Sequence, residues 1–253
     1  GGGGGGGGRG RGGGDNKHFR LNKRLTGTRT PEELLLVLEE EVAGPQDVNH
    51  VNVATALNLL GKRLSRGGSA QNHGRVKAAV DKLRPHLQQR TGEYGARQLA
   101  NCAHGLAKLK VAEAADLDAV GREALVKLHE FKPQELANLV WAYATAEHQA
   151  GELFDAVAAQ TPGRLREFNP QGLANLVGAY AKAEHQAGEL FDAVAAEAPG
   201  RLREFNPQDL ANLVWAYATA ERQAGELFDA VAAEAPGKLQ EFNPQNLANL
   251  VWA

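Results

Sequence analysis

One recurrence restricts how this chain folds more than any other feature. Phe131, Phe168, Phe205 and Phe242 stand 37 residues apart. Three of them open the same tetrapeptide: Phe168-Asn169-Pro170-Gln171, Phe205-Asn206-Pro207-Gln208 and Phe242-Asn243-Pro244-Gln245. Phe131-Lys132-Pro133-Gln134 differs at one position. One variable residue follows each, and then Leu-Ala-Asn-Leu-Val. A weaker copy lies upstream, where Tyr94 falls 37 residues before Phe131 and Leu99-Ala100-Asn101 aligns with Leu136-Ala137-Asn138. A fainter one begins near Asn52, with Val53-Ala54-Thr55-Ala56-Leu57 and an insertion around Ser65-Arg66-Gly67-Gly68-Ser69. A fixed period of this length marks stacked units that bury one another's apolar faces.

Each copy reads as two helices. Asn169 suits an N-cap, and Pro170 suits the first helical position because its missing N–H is not needed there. Leu136, Leu139, Val140 and Tyr143 fall at helical spacing and form a buried stripe, in a helix running to about Glu147. A second helix starts near Gly151 with Leu153, Phe154 and Val157 inward. It breaks or kinks at Pro162-Gly163, Pro199-Gly200 or Pro236-Gly237. Arg164-Leu165-Arg166-Glu167 forms a further turn leading to the next Phe. The expected fold is all-α, a right-handed α-solenoid of paired helices with 37-residue repeats.

Three regions follow from this pattern. Residues 1–29 read as a disordered, basic, Gly/Arg-rich tail, because glycine loses most entropy on ordering and nothing there offsets it. Residues 30–93 hold N-terminal helices and the diverged repeat, starting at the capping box Thr30-Pro31-Glu32-Glu33 and a helix through about Val42. Residues 94–253 are the array proper. The chain has no Met and stops within the motif at Trp252-Ala253, so it reads as a fragment in which Trp252 lacks the cover of a next repeat.

Charge divides along the same lines. Residues 1–30 carry a net +6, whereas the three complete repeats, 131–241, carry 8 basic and 16 acidic residues. Cys102 is the only cysteine and sits on an apolar helix face, as a small buried filler. No apolar run approaches the ~20 residues of a membrane helix. His148 and His185 recur one repeat apart, which is not metal-ligand spacing. Walker-type loops, nucleophile elbows, His-Glu-x-x-His and paired cysteines are all missing from the sequence. The expectation is a binding protein and not an enzyme, with no cofactor, no metal, no membrane and no small-molecule substrate.

The run Phe-Asn-Pro-Gln-x-Leu-Ala-Asn-Leu-Val-Trp-Ala-Tyr-Ala resembles the helical repeats of algal and protist organelle proteins. These are the octotricopeptide and heptatricopeptide types, relatives of the repeats in FAST-kinase-like proteins, which often precede a RAP domain. The resemblance covers residues 94–253 and, faintly, 50–93. It implies single-stranded RNA binding in a mitochondrion or plastid, acting in RNA processing, stability or translation. This chain contains no RAP domain.

Candidate contact residues follow from the repeat. The variable position holds Glu135, Gly172, Asp209 and Asn246, and shares a helix face with Asn138, Asn175, Asn212, Asn249 and Lys182. One variable polar residue per unit is what a base-per-repeat reader needs; an ordinary polar first turn accounts for it as well. The Asn column either contacts RNA or bonds the backbone of the next repeat as a ladder. Trp141, Trp215 and Trp252 share a column with His104 and Gly178, and serve as core packing or as a stacking platform. If they are core, Gly178 leaves a cavity or a kink. Arg164, Arg166, Arg201, Arg203 and Lys238 form either a phosphate track or a salt-bridged surface. Gly8-Arg9-Gly10-Arg11-Gly12-Gly13 is an RNA-assisting segment or low-complexity filler. The competing function is a protein-interaction scaffold, which the acidic array favours.

Overall fold

The computed structural model describes residues 13–64 and 72–253, with side chains from Lys17 onward. The Gly/Arg segment up to residue 12 and the insertion around Ser65–Ser69 lie outside the described residues. Within them there are thirteen α-helices and no strand, stacked as an all-α solenoid. The helices are α1 (Gly13–Gly27), α2 (Pro31–Glu41), α3 (His50–Leu64), α4 (His73–Gln89), α5 (Ala96–Leu109), α6 (Ala114–Val126) and α7 (Pro133–Thr145). They continue as α8 (Gly151–Gln160), α9 (Pro170–Lys182), α10 (Gly188–Glu197), α11 (Pro207–Thr219), α12 (Gly225–Glu234) and α13 (Pro244–Trp252).

Two layers result. The first helices of the repeats, α3, α5, α7, α9, α11 and α13, pack each on the next in one unbroken row. The second helices build the other layer together with 3-10 segments, Pro162–Glu167, Ala198–Glu204 and Ala235–Glu241, that follow them. There α10 packs on Pro162–Glu167 and α12 on Ala198–Glu204, so helix and 3-10 segment alternate. The Pro-Gly pairs account for this change, since proline cannot continue the α-helical ladder.

The repeat's local chemistry sets the ends of each first helix. Asn169, Asn206 and Asn243 accept hydrogen bonds on their Oδ1 atoms from the N–H groups of Gly172, Asp209 and Asn246, at 2.7, 2.9 and 2.8 Å. In the repeat that has Lys132 instead, Glu135 reaches back and accepts from the Lys132 N–H at 2.9 Å. The first helices end slightly before Glu147. Glu147, Glu184 and Glu221 are left-handed, with φ of 54°, 53° and 52°. The next residue's N–H then returns to the tyrosine carbonyl, as His148 to Tyr143 and His185 to Tyr180, both at 3.0 Å. This is the Schellman closure, made here without glycine.

Neighbouring repeats are tied by the tyrosines. The hydroxyls of Tyr143, Tyr180 and Tyr217 donate to the carbonyls of Leu117, Phe154 and Phe191 in the preceding second helix, at 2.6, 2.7 and 2.6 Å. All three tyrosines are buried, as are Phe131, Phe168 and Phe205. Tyr180 also meets Phe154 edge-on at 5.0 Å between ring centres, and Tyr217 meets Phe191 at 5.1 Å. Each phenol adds a second hydrogen bond to a helical carbonyl while its ring fills the joint.

The expected disordered tail is corrected over Gly13–Gly27. Helix α1 occupies Gly13–Gly27, and its Leu21 and Leu25 are buried. Those two leucines, one helical turn apart, bury apolar surface that offsets the cost of ordering α1. Lys17 pairs with Asp47, Arg24 with Glu40 and Glu41, and Asn52 donates to the His18 carbonyl. Helix α2 starts as expected: the Thr30 hydroxyl accepts from the Glu33 N–H at 3.1 Å. Glu33 itself accepts from the Arg29 N–H, one residue before the cap.

At the diverged end, α3 and α5 approach so closely that Gly105 lies against the Leu57 carbonyl. A Cβ on Gly105 would stand 2.5 Å from that oxygen. Gly105→Ala is expected to destabilise the chain by about 1–3 kcal/mol through forced separation of the two helices, measured by urea unfolding. Tyr180→Phe keeps the ring but removes the bond to the Phe154 carbonyl, and is expected to cost about 0.5–1.5 kcal/mol. A variant as stable as the parent in the same assay would show that the hydroxyl carries no part of the joint.

Candidate nucleic-acid interface

The first-helix row leaves one face uncovered. In α7 the residues not fully buried after Pro133 are Gln134, Glu135, Asn138, Trp141 and Thr145. Gln134, Asn138, Trp141 and Thr145 lie within one narrow stripe of the helix, by the helical period. Stacking turns each member into a column. Gln134, Gln171, Gln208 and Gln245 are exposed, continued in α5 by exposed Arg97. Beside them run Asn101, Asn138, Asn175, Asn212 and Asn249. The third column is His104, Trp141, Gly178, Trp215 and Trp252, and the fourth is Lys108, Thr145, Lys182 and Thr219. None of these columns contains a carboxylate.

The Asn column is half-exposed. Asn249 accepts from Gln245 at 2.9 Å. The side chains of Asn138, Asn175 and Asn212 make no hydrogen bond among the described residues. The backbone ladder weighed for them is therefore not formed; the tyrosines bridge the repeats instead. Three helix-interior amides are thus held at the surface with donor and acceptor both open.

The variable position is placed differently from the expected base-facing one. It is the third residue of each first helix, tucked against the cap. Gly172 is buried beside the Phe168 ring, and Asp209 and Asn246 are only 5% and 8% exposed. Burial raises the Asp209 carboxyl above its usual range, against the opposing hydrogen bond from the Asn206 backbone. Glu135 is half-buried and occupied by its cap. These four residues stand at the edge of the stripe, while Lys182 is fully on it, exposed and without an ion pair among the described residues.

Trp141 and Trp215 each pack one side on the core and leave the other partly open. The His104 ring lies 4.9 Å from Trp141, so column neighbours touch across one repeat. At Gly178 the helix continues without interruption, and no atom lies within 4 Å of where a Cβ would be.

The recurrent basic residues are not on this face. The Arg164 guanidinium donates to the Phe131 carbonyl at 3.2 Å, Arg201 to Phe168 at 2.9 Å and the Lys238 ammonium to Phe205 at 2.6 Å. Lys127 makes the same bond to Tyr94 at 2.8 Å. Arg164 and Arg201 also pair with Glu167 and Glu204. They clamp one repeat to the next at the N-terminal edge of the first helices. Arg166, 89% exposed, pairs with Glu197 at 3.3 Å, and Arg203 is exposed on the same 3-10 segments.

Acidic side chains collect on the opposite layer. Glu152, Asp155, Glu189, Asp192, Glu226 and Asp229 are exposed on α8, α10 and α12. His148 and His185 pair there with Asp118 and Asp155, and Arg222 with Asp192. Exposed pairs of this kind contribute little, about 0–1 kcal/mol each. Cys102 is fully buried, and desolvation holds its thiol well above the usual range. The Gln column and its continuation through Arg97, and the Lys108 position, escaped sequence reasoning. Their signal was the invariant Gln of the tetrapeptide and the register of the weakest repeat.

Fold and face together define a helical-repeat protein that presents one long polar and aromatic surface, cleared of negative charge, across its stacked first helices. The chain belongs to the family of the RNA-editing substrate-binding complex 6 protein, whose sequence model matches residues 71–253. No curated protein matches it. The family is RNA-associated. No helix among the described residues is long and apolar enough to cross a membrane.

Burial holds the His104 imidazole down to about 4, with Lys108 and Lys62 adding repulsion. The unfolded ring takes its proton near pH ~6.5. Stability linked to this residue is therefore complete above that pH, falls as the pH drops towards 4, and levels off below. His104→Gln is expected to flatten the fall in unfolding free energy between pH 6.5 and 4, followed by urea titration at each pH. An unchanged slope would remove His104 from the account.

Proposed function

We propose that this protein binds single-stranded RNA along the open face of its first helices, as a non-catalytic component of an RNA-editing assembly. One observation carries this reading: a row of unpaired Asn side chains and partly open Trp rings, repeated across the array, with no carboxylate among its columns. Amides of this kind bond base edges, and indole faces stack on bases of any identity. Lys62, Arg97, Lys108 and Lys182 supply positive charge to the strip, concentrated towards the diverged repeats. Bases are met by the Asn and Trp columns, in a per-repeat manner akin to octotricopeptide arrays. The variable residues at the helix starts act through cap geometry. RNA-editing complexes of the kind named for the family support a mitochondrial setting; nothing in the family match favours a plastid.

A second reading concerns the other layer. The exposed acidic residues of α8, α10 and α12 favour a basic protein partner on the opposite side, and the two surfaces do not compete. Membership of a family named for a complex supports that partner as well.

The test is direct binding of the whole chain to unstructured RNA oligonucleotides, followed by fluorescence anisotropy at several salt concentrations. With about four cations engaged, log affinity is expected to fall against log salt with a slope of about −3. Combined Asn138→Ala, Asn175→Ala and Asn212→Ala substitutions are expected to weaken binding at least tenfold. Arg164→Gln is expected to lower stability without lowering affinity in proportion. Salt-insensitive or missing affinity would exclude the RNA reading.

A further inference from the structure

The three complete repeats are near-copies, so their few differences on the open face stand out. Helix α9 departs from both α7 and α11 at the variable third position and at two others only. Gly178 stands where they have Trp141 and Trp215, and Lys182 where they have Thr145 and Thr219. Those two positions are four residues apart and so share one helix face. One change removes a ring from the aromatic column. The other places a cation one turn away.

The geometry follows from the column. Where it is filled in adjacent repeats, the side chains touch, as His104 and Trp141 do at 4.9 Å. Gly178 leaves open space where a ring would be, flanked by Trp141 on one side and Trp215 on the other, both partly exposed. One turn further along α9 lies a cavity of about 540 Å³ whose lining includes Trp215, Ala181, Lys182 and Thr219. Its far rim, at the turn, carries Glu184, Glu221 and Arg222, the last paired with Asp192. Lys182 borders the matching cavity of the preceding repeat too.

We infer that the second complete repeat holds a nucleotide slot: one unpaired base enters above Gly178 between Trp141 and Trp215, and Lys182 takes its phosphate. This rests on the RNA reading and makes it specific to one place in the array. Indole faces stack on the π-face of a base, and a phosphate answers an exposed ammonium left without an ion pair among the described residues. Purines are favoured because they offer more stacking area. Elsewhere in the column the ring belongs to the protein, so bases there are met only from outside.

The test exploits the array's own alternatives. Gly178→Trp and Lys182→Thr restore what the sister helices carry, and the space over Gly178 is open, so both variants are expected to keep the parent's melting temperature. The whole chain is titrated with a uridine dodecamer, and with the same oligonucleotide carrying one central adenine. The parent is expected to bind the adenine-bearing strand roughly tenfold more tightly, with quenching of tryptophan fluorescence. Gly178→Trp is expected to abolish that preference and most of the quenching, while retaining weaker binding to both strands. Lys182→Thr is expected to weaken both about threefold and flatten the salt dependence. If the parent binds RNA and Gly178→Trp binds both strands as the parent does, the slot is overturned and the RNA reading survives. If the parent binds neither strand, both fall. Should Gly178→Trp melt early, Gly178→Leu, which blocks the opening with a smaller side chain, gives the same comparison.

Discussion

Everything in this molecule depends on one repeat completing the next. A pair of helices this short, one of thirteen residues and one of ten, cannot hide its own apolar stripe. Leu136, Leu139, Val140 and Phe154 are buried only because neighbours cover them. The joint is polar as well as apolar. Each tyrosine hydroxyl satisfies a carbonyl of the preceding second helix, and each clamp residue of the Lys127, Arg164, Arg201 and Lys238 column satisfies the carbonyl of the preceding Phe or Tyr. Apolar contact alone would allow one repeat to slide on another. Hydrogen bonds between fixed positions set a single register.

That division of labour explains why the open face is available. Of the recurrent cations, Lys127, Arg164, Arg201 and Lys238 are used up in holding the stack. The amides of the first helices are not needed for it, the indoles serve it with one side only, and both reach the surface in register. A ligand that follows the row therefore meets the same groups at each step, with the spacing of packed helices. The exposed carboxylates of α8, α10 and α12 stand on the other layer, so a molecule with near-neutral net charge still offers a polyanion columns that carry no carboxylate.

The diverged end is held by different chemistry. Arg84 is buried and pairs with Asp116, which is fully buried, and also donates to the Val111 carbonyl at 2.6 Å. Gln88 donates to the second Asp116 oxygen at 2.8 Å. With α3 and α5 in contact through Gly61 and Gly105, this network replaces the regular tyrosine joint where the repeat has lost its pattern. A buried pair of this kind depends on complete hydrogen bonding more than on its Coulomb attraction.

The linear order of residues determined the architecture by itself. A 37-residue recurrence with Asn caps, Pro at the first turn and apolar residues at helical spacing has few ways to bury its stripe, and stacking is the one observed. The same order misjudged the start of the chain, because the glycines of residues 1–12 obscured Leu21 and Leu25. It also misplaced the candidate contacts, since a variable residue looks functional whether it faces solvent or the cap of its own helix. Only the packed structure decided that Asp209 and Asn246 are covered, that Arg164 and Arg201 are clamps, and that three Asn side chains are free of one. Which side of a helix is covered depends on residues 26 to 37 positions away, and spacing along one helix carries no record of where those neighbours end.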